Sequence, residues 1–174
     1  MRNVLLALGL AAFASTSSPA ALPIGAKAPD FVTTGALGGK SFKLHLKSEL
    51  KKGPVVLYFF PKAFTKGCTL EAHAFSDATA DFKRAGAEVI GLSADDLPTL
   101  QRFSIEECRN AFPVATATPA TQKAYDVAWA EHPGLTTRTS YVIARNGKIA
   151  MVHDDLDFSQ HVAKTLAAVK ALKR

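Results

Sequence analysis

The chain has 174 residues, of which 48% are hydrophobic and 21% are charged, and its formal net charge is +6. This length and balance are ordinary for a single globular domain with a proper hydrophobic core. The lysines are dispersed and no aromatic residues interleave with them in a stripe, so the composition does not indicate a nucleic-acid-binding protein.

The N-terminus has the organisation of a targeting segment. Arg2 precedes a short apolar run over residues 4–14, and small residues follow it. This order is typical of a secretory signal peptide, and the run is too short to span a bilayer. We therefore expect a signal peptide over residues 1–21, one mature domain over residues 22–174, and a periplasmic or secreted protein without a membrane span.

The first part of the expected domain leads up to a central strand. Residues 22–53 carry turn residues and short extended pieces, among which Gly38 and Gly39 predict a hairpin. The next run, residues 55–60, is apolar at every position and is closed by Pro61. It predicts a strand that is buried on both faces.

The apolar period changes from strand to helix after Cys68. Phe75 and Phe82 recur at helical spacing, and Gly86 follows a basic last turn, as a helix stop does. Residues 88–94 predict a second buried strand, so that strand, helix and strand form a right-handed parallel unit. Cys68 is thereby placed at a helix start and at the carboxyl end of a central strand, where open α/β sheets bind ligands.

The rest of the chain continues this alternation. We expect a helix over residues 97–109, a short strand at 112–115, a helix capped at Thr118, a hairpin turning at Asn146-Gly147, and a last helix over 158–172. This order is that of a thioredoxin-like α/β sandwich, with a central mixed β-sheet flanked by helices. The order of the strands within the sheet does not follow from the sequence.

A cysteine at a helix N-terminus is a candidate nucleophile. Cysteines react as thiolates, and an ordinary one, with a pKa of about 8.5, is only a few per cent ionised at neutral pH. The helix dipole contributes about 0.3–1 kcal/mol, whereas lowering a pKa by two units takes about 2.7 kcal/mol. We therefore expect a cation beside Cys68, together with the Thr65 hydroxyl, while Pro61 fixes the exit from the strand. The alternative is a small buried hydrophobic residue.

The spacing Pro-x-x-x-Thr-x-x-Cys, formed by Pro61, Thr65 and Cys68, resembles the active-site signature of the peroxiredoxins, the alkyl hydroperoxide reductase and thiol-specific antioxidant family. The runs APDF at residues 28–31 and RTSYVIARNGKI at residues 138–149 are similar to its peroxiredoxin Q (bacterioferritin co-migratory protein) subgroup. The resemblance covers essentially the whole expected mature chain. It implies a thioredoxin-like fold and a monomeric antioxidant enzyme that reduces hydrogen peroxide and organic hydroperoxides.

The resemblance also assigns roles within the site. Cys68 corresponds to the peroxidatic cysteine, and Arg138, directly before the TSYVI run, corresponds to the family's active-site arginine. An arginine is always charged, and its fork could hold the sulfur and a peroxide oxygen together. For Arg138 the alternative is a solvated charge at a strand end. A thioredoxin-like or other thiol reductant would restore the enzyme, and no cofactor is implied.

Cys108 is the only other cysteine, and in an oxidising compartment a lone pair of cysteines tends to be bonded. One form of the subgroup has its resolving cysteine in the helix after the second strand, which implies that Cys108 resolves the sulfenic acid of Cys68 through a disulfide. In that form the cysteine follows a phenylalanine like Phe103 directly, a place held here by Ser104, and Cys108 comes one turn later. The alternative is a buried thiol.

Two other functions stay open at this point. A thiol-disulfide oxidoreductase of the same fold normally has Cys-x-x-Cys, but Thr65 stands three residues before Cys68. A non-enzymatic metal-binding module of this fold needs paired cysteines close in sequence and a histidine ligand. The subgroup's usual second cysteine is replaced by His73, which does not share a helix face with Cys68, so we expect no metal site.

Overall fold

The computed structural model describes residues 21–172. The predicted signal peptide lies outside the described residues except for Ala21, and its cleavage stays a prediction. Within residues 21–172 no helix is both long enough and apolar enough to cross a membrane.

A seven-stranded mixed sheet organises the described residues. Its strands are β1 (Val32–Leu37), β2 (Lys40–His45), β3 (Val55–Phe59), β4 (Glu88–Ser93), β5 (Val114–Thr116), β6 (Thr139–Ile143) and β7 (Ile149–Asp154). They lie in the order β2-β1-β5-β4-β3-β6-β7, in which β4 is parallel to both β3 and β5 and the other pairs are antiparallel. The strand that leads to Cys68 is therefore an inner strand of the sheet.

Helices cover both faces of this sheet, which confirms the predicted α/β sandwich. They are α1 (Leu46–Lys52), α2 (Lys66–Arg84), α3 (Leu97–Glu106), α4 (Pro119–Ala124) and α5 (His161–Ala171), with a short 3-10 helix over Phe158–Gln160 before α5. The sequence did not predict α1, because its seven residues carry no side-chain N-cap and follow β2 directly.

The side chains of β3 divide between two apolar cores. Val56 and Tyr58 join the core that holds Cys68, whereas Leu57 and Phe59 join the core on the opposite face. All of them are fully buried, as predicted for this strand. Truncating one such aromatic side chain typically costs about 3–5 kcal/mol, so packing fixes the strand that delivers the site.

Helix α3 ends earlier than the sequence predicted. Its last helical residue is Glu106, and the chain then turns through Arg109 and Asn110, whose φ angles of 50° and 57° lie in the left-handed region. An α-helix does not continue through such residues. Cys108 therefore lies in the turn after the helix rather than inside it, which corrects the prediction of a helix over residues 97–109.

Candidate active site

Hydrogen bonds fix the chain where it leaves β3. The Phe60 amide donates to the Leu92 carbonyl at 2.9 Å, and the Phe60 carbonyl accepts from Thr136 Oγ1 at 2.8 Å. Pro61 follows and has no amide hydrogen of its own to satisfy. The loop to α2 thus starts from a rigid point, in the place that the sequence predicted for Pro61.

Asp95 anchors the middle of this loop. Its Oδ2 accepts from the Ala63 amide at 2.8 Å and from Ser93 Oγ at 2.7 Å. The next residue, Asp96, caps α3 by accepting from the Thr99 amide at 3.0 Å.

Helix α2 begins at the loop's end, with Thr65 as its N-cap residue. Phe64, with a φ of +63°, turns the chain into the helix. The Thr65 carbonyl accepts from the Thr69 amide at 2.9 Å, and its hydroxyl donates to the Lys62 carbonyl at 2.9 Å. Cys68 is the third helical residue, so its sulfur lies in the first turn, where free amides and the helix dipole favour negative charge.

The Arg138 guanidinium lies against the thiol of Cys68. Its Nη2 is 3.5 Å from Cys68 Sγ, although the two residues are 70 positions apart in sequence. Cys68 is 1% exposed and Arg138 is 6% exposed, so little water intervenes to weaken the attraction between the cation and a sulfur anion. The structure therefore brings together the cysteine and the arginine that the sequence analysis singled out.

The other two nitrogens of this guanidinium also donate to protein groups. Nη1 donates to Glu71 Oε2, and Nε donates to the Leu156 carbonyl at 2.9 Å. Glu71 is fully buried in α2, one turn beyond Cys68. Burial raises the pKa of Glu71 to about 8, against the opposing effect of the Arg138 guanidinium. Fixed partners on both sides hold Arg138 at the sulfur.

Cys108 belongs to the same apolar core as Cys68. It is fully buried, and both cysteines of the chain are free thiols. Burial raises the pKa of the Cys108 thiol, with the nearby Glu107 carboxylate adding to the effect. Attack by this cysteine as a thiolate therefore requires that it first leave the core.

His73 pairs with a carboxylate in the turn after α3. The Nε2 atom of His73 lies 2.8 Å from Oε2 of Glu107, the residue that precedes Cys108. Among the residues that the structure describes, no group of three or more His, Cys, Asp or Glu side chains is arranged to hold a metal ion.

Comparison with known proteins identifies the family. Residues 24–152 match the AhpC/TSA family. The chain belongs to this family. It is 34% identical over 135 residues to the chloroplastic peroxiredoxin Q of Suaeda salsa and 32% identical over 149 residues to that of Oryza sativa subsp. japonica. The matched segments cover 77% and 85% of this chain, and 62% and 67% of those two proteins.

A solved structure supports the same assignment. Peroxidoxin BcpB from Mycobacterium tuberculosis superimposes with a TM-score of 0.78 at 28% identity, covering 87% of this chain and 98% of that one. The resemblance to peroxiredoxin Q and the thioredoxin-like fold are thus confirmed, and the chain is a peroxiredoxin, a member of a family of thiol-dependent peroxidases. A monomer stays a prediction.

The predicted location of this peroxiredoxin is wrong. A periplasmic or secreted protein was expected from residues 1–21, but the curated relatives are named as chloroplastic proteins and residues 1–20 lie outside the described part of the chain. An oxidising compartment therefore gives no support for a Cys68–Cys108 disulfide. Any role of Cys108 must rest on other grounds.

Proposed function

We propose that this peroxiredoxin reduces hydrogen peroxide and organic hydroperoxides with Cys68 as the peroxidatic residue. The observation that carries the proposal is the 3.5 Å contact between Arg138 Nη2 and Cys68 Sγ at the N-terminus of α2. A buried guanidinium and the helix dipole act together on the same sulfur, which is the environment that activates a cysteine.

The chemistry that this site supports is a displacement at oxygen. The Cys68 thiolate attacks one oxygen of ROOH, the O–O bond breaks, and RO⁻ leaves and takes up a proton to form ROH. Cys68 becomes a sulfenic acid, so the sulfur is oxidised by two electrons and the peroxide is reduced by two. Negative charge moves from sulfur to the leaving oxygen, and the fixed Arg138 guanidinium is placed to follow it.

Thr65 and Pro61 complete the proposed site. The Thr65 hydroxyl already donates its hydrogen to the Lys62 carbonyl at 2.9 Å, so the oxygen lone pairs remain free to accept the hydrogen of a bound hydroperoxide. An acceptor in this position would orient the peroxide with its unprotonated oxygen towards the cation. Pro61 keeps the loop in place and offers no amide that would compete for the substrate.

In the second half of the proposed cycle, Cys108 attacks the sulfenic acid. A Cys68–Cys108 disulfide forms, water leaves, and a thioredoxin-like or other dithiol reductant restores both thiols by exchange. Support comes from the position of both cysteines in one core. Because each is buried at the end of a helix, local unfolding of the first turn of α2 and of the turn after α3 must precede the bond.

The test separates the two halves of the cycle. We expect Cys68→Ser to abolish peroxide consumption while the protein stays folded, because serine is nearly isosteric with cysteine but hardly ionises at neutral pH. After one equivalent of hydrogen peroxide, mass mapping of the wild type should give a Cys68–Cys108 peptide that is missing in Cys108→Ser. Full activity of Cys68→Ser would end the proposal, whereas a lasting Cys68 sulfenate beside a free Cys108 would assign resolution to an outside thiol.

A further inference from the structure

His161 is a buried histidine that belongs to no motif of the sequence. It is the first residue of α5 and is fully buried. Its Nε2 lies 2.9 Å from the Asp155 carbonyl oxygen, which can only accept, so Nε2 carries the hydrogen. Nδ1 is then the acceptor for the Ser140 hydroxyl, 2.8 Å away. Two hydrogen bonds thus fix both the tautomer and the orientation of the ring.

One of these bonds reaches Arg138 through the segment that contains Leu156. The Leu156 carbonyl accepts from Arg138 Nε at 2.9 Å. The residue before it, Asp155, accepts from His161 through its carbonyl and donates its amide to the Arg138 carbonyl at 3.2 Å. The histidine therefore holds the peptide segment that presents one of the two protein partners of the guanidinium.

The same ring also faces the second partner. Glu71 Oε2 accepts from Arg138, but Glu71 Oε1 is completely buried and has no hydrogen-bond partner. His161 Nδ1 lies 3.7 Å from this oxygen. Because Nδ1 is an acceptor, it offers no hydrogen to this oxygen, so the ring acts on Arg138 through the segment of Asp155 and Leu156.

The charged and titratable groups around the ring come from several elements. Glu71 faces it from α2, Arg138 from the chain before β6, His153 from β7 at 4.5 Å between ring centroids, and Asp155 from the loop before α5. Burial lowers the pKa of His161 to about 4, with His153 and Arg138 adding to the effect, so the ring is neutral at neutral pH. A neutral ring keeps one donor and one acceptor, as both of its hydrogen bonds require.

We infer that His161 is a positioning residue of the peroxidase site, which aims the Arg138 guanidinium at Cys68 by holding the segment that carries the Leu156 carbonyl. This inference rests on the proposed function of Cys68. It predicts that loss of the Nε2 hydrogen bond displaces the cation without touching the sulfur, the peroxide or the first turn of α2.

Paired substitutions test the role. Glutamine can place an N–H near Nε2 and keep the bond to Asp155, whereas asparagine is shorter and cannot reach it. We expect His161→Asn to slow the reaction of Cys68 with hydrogen peroxide roughly tenfold to a hundredfold. The thiolate ultraviolet absorbance of this variant should appear at higher pH than that of the wild type. His161→Gln should come close to the wild type in both the rate and the absorbance. His153→Ala is the control, because His153 contacts neither Glu71 nor Asp155 through a hydrogen bond, and we expect wild-type behaviour.

The outcomes are distinguishable. If Cys68 of the wild type does not react with peroxide, the proposed function is wrong. If the wild type reacts and His161→Asn has the same rate and the same thiolate titration as the wild type, only the inference about His161 is wrong. If either substitution prevents folding, nitrogen NMR of the wild-type ring decides. We expect the Nε2–H tautomer of His161 to persist from about pH 5 to 8 and its nitrogen resonances to shift in Arg138→Lys. A ring that becomes protonated within this range, or whose resonances do not change in Arg138→Lys, contradicts the role.

Discussion

Gly67 leaves space for the cation that serves Cys68. A Cβ at this position would lie 3.2 Å from Arg138 Nη2, the same atom that lies 3.5 Å from Cys68 Sγ. Glu71 and the Leu156 carbonyl bind Nη1 and Nε, so Nη2 yields to a methyl group only by a small shift. A methyl group at residue 67 would therefore lengthen the distance between Arg138 Nη2 and Cys68 Sγ.

Gly67→Ala should separate stability from activity. Alanine has a higher helix propensity than glycine by up to about 1 kcal/mol, so we expect the free energy of unfolding to stay equal or to rise. The rate of peroxide reduction should fall roughly tenfold, because the guanidinium is displaced from the sulfur. Urea unfolding and single-turnover kinetics measure the two effects.

Lys66→Ala is the matched control for this experiment. Lys66 is the exposed neighbour in the same helical turn, and it is another positive charge close to Cys68 in sequence. We expect its replacement to leave the rate close to that of the wild type. A larger loss in Lys66→Ala than in Gly67→Ala would show that Lys66, and not Arg138, stabilises the thiolate.

Among the secondary-structure elements, α2 and the turn after α3 are joined by three hydrogen bonds. The bonds run from one face of the helix, because positions i, i+3 and i+4 share a face. They join His73 to Glu107 at 2.8 Å, Ser76 Oγ to the Cys108 carbonyl at 2.9 Å, and Asp77 to Arg109 at 2.9 Å. These contacts hold Cys108 in the core, and the proposed cycle requires that they break before Cys108 reaches Cys68.

Weakening one of these bonds should make Cys108 more accessible. An exposed ion pair contributes about 0.2–1 kcal/mol, so we expect Asp77→Asn to raise the rate of Cys108 alkylation by roughly 1.4-fold to fivefold. The measurement uses a Cys68→Ser background, in which Cys108 is the only thiol, and follows iodoacetamide addition by mass. It therefore does not depend on whether Cys108 is the resolving residue.

Glu106→Gln is the control for the release of Cys108. It makes the same change of charge and breaks the pair between Arg102 and Glu106, which lies within α3 and does not reach α2. Cys108 in this variant should be alkylated at the same rate as in the Cys68→Ser protein. Equal rates in Asp77→Asn and Glu106→Gln would show that the contacts with α2 do not restrain the turn.

The elements that the sequence predicted well are those with local signals. The uninterrupted apolar run of β3, the change of period at Cys68 and the glycine turns of the two hairpins all gave elements close to their observed bounds. The end of α3 was missed because consecutive left-handed residues, one of them an arginine, carry no clear sequence signal. The strand order was inaccessible because β1 pairs with β5 across about 80 residues, and such pairing is set by packing.

At the scale of the molecule, the site is assembled from segments that are far apart in sequence. Thr65 and Cys68 share one motif, but Arg138 was placed beside them by family resemblance and not by spacing. Asp95 and His161 act through hydrogen bonds that exist only once β4 and α5 have packed. A lone histidine gives no sequence signal of this kind, because its burial depends on the whole fold.

The same assembly makes the stability of the molecule depend on pH in two opposite ways. Glu71 has an ordinary pKa of 4.5 that burial raises to about 8, so its contribution to stability is complete below pH 4.5 and is lost as the pH rises to about 8. His161 has an ordinary pKa of 6.5 that burial lowers to about 4, so its contribution is complete above pH 6.5 and is lost as the pH falls to about 4. Between pH 4.5 and 6.5 the two slopes oppose each other.

Glu71→Gln and His161→Gln should expose these two slopes one at a time. Relative to the wild type, the free energy of unfolding of Glu71→Gln should rise as the pH increases from 4.5 to 8, and that of His161→Gln should rise as the pH decreases from 6.5 to 4. Each slope can reach about 1.4 kcal/mol per pH unit, the limit for one proton. Urea unfolding of both variants in a Cys68→Ser background gives the difference curves, in which other titrating groups, such as Asp30 and Glu88, cancel. Flat difference curves for both variants would mean that Glu71 and His161 titrate in the folded protein as they do in the unfolded chain.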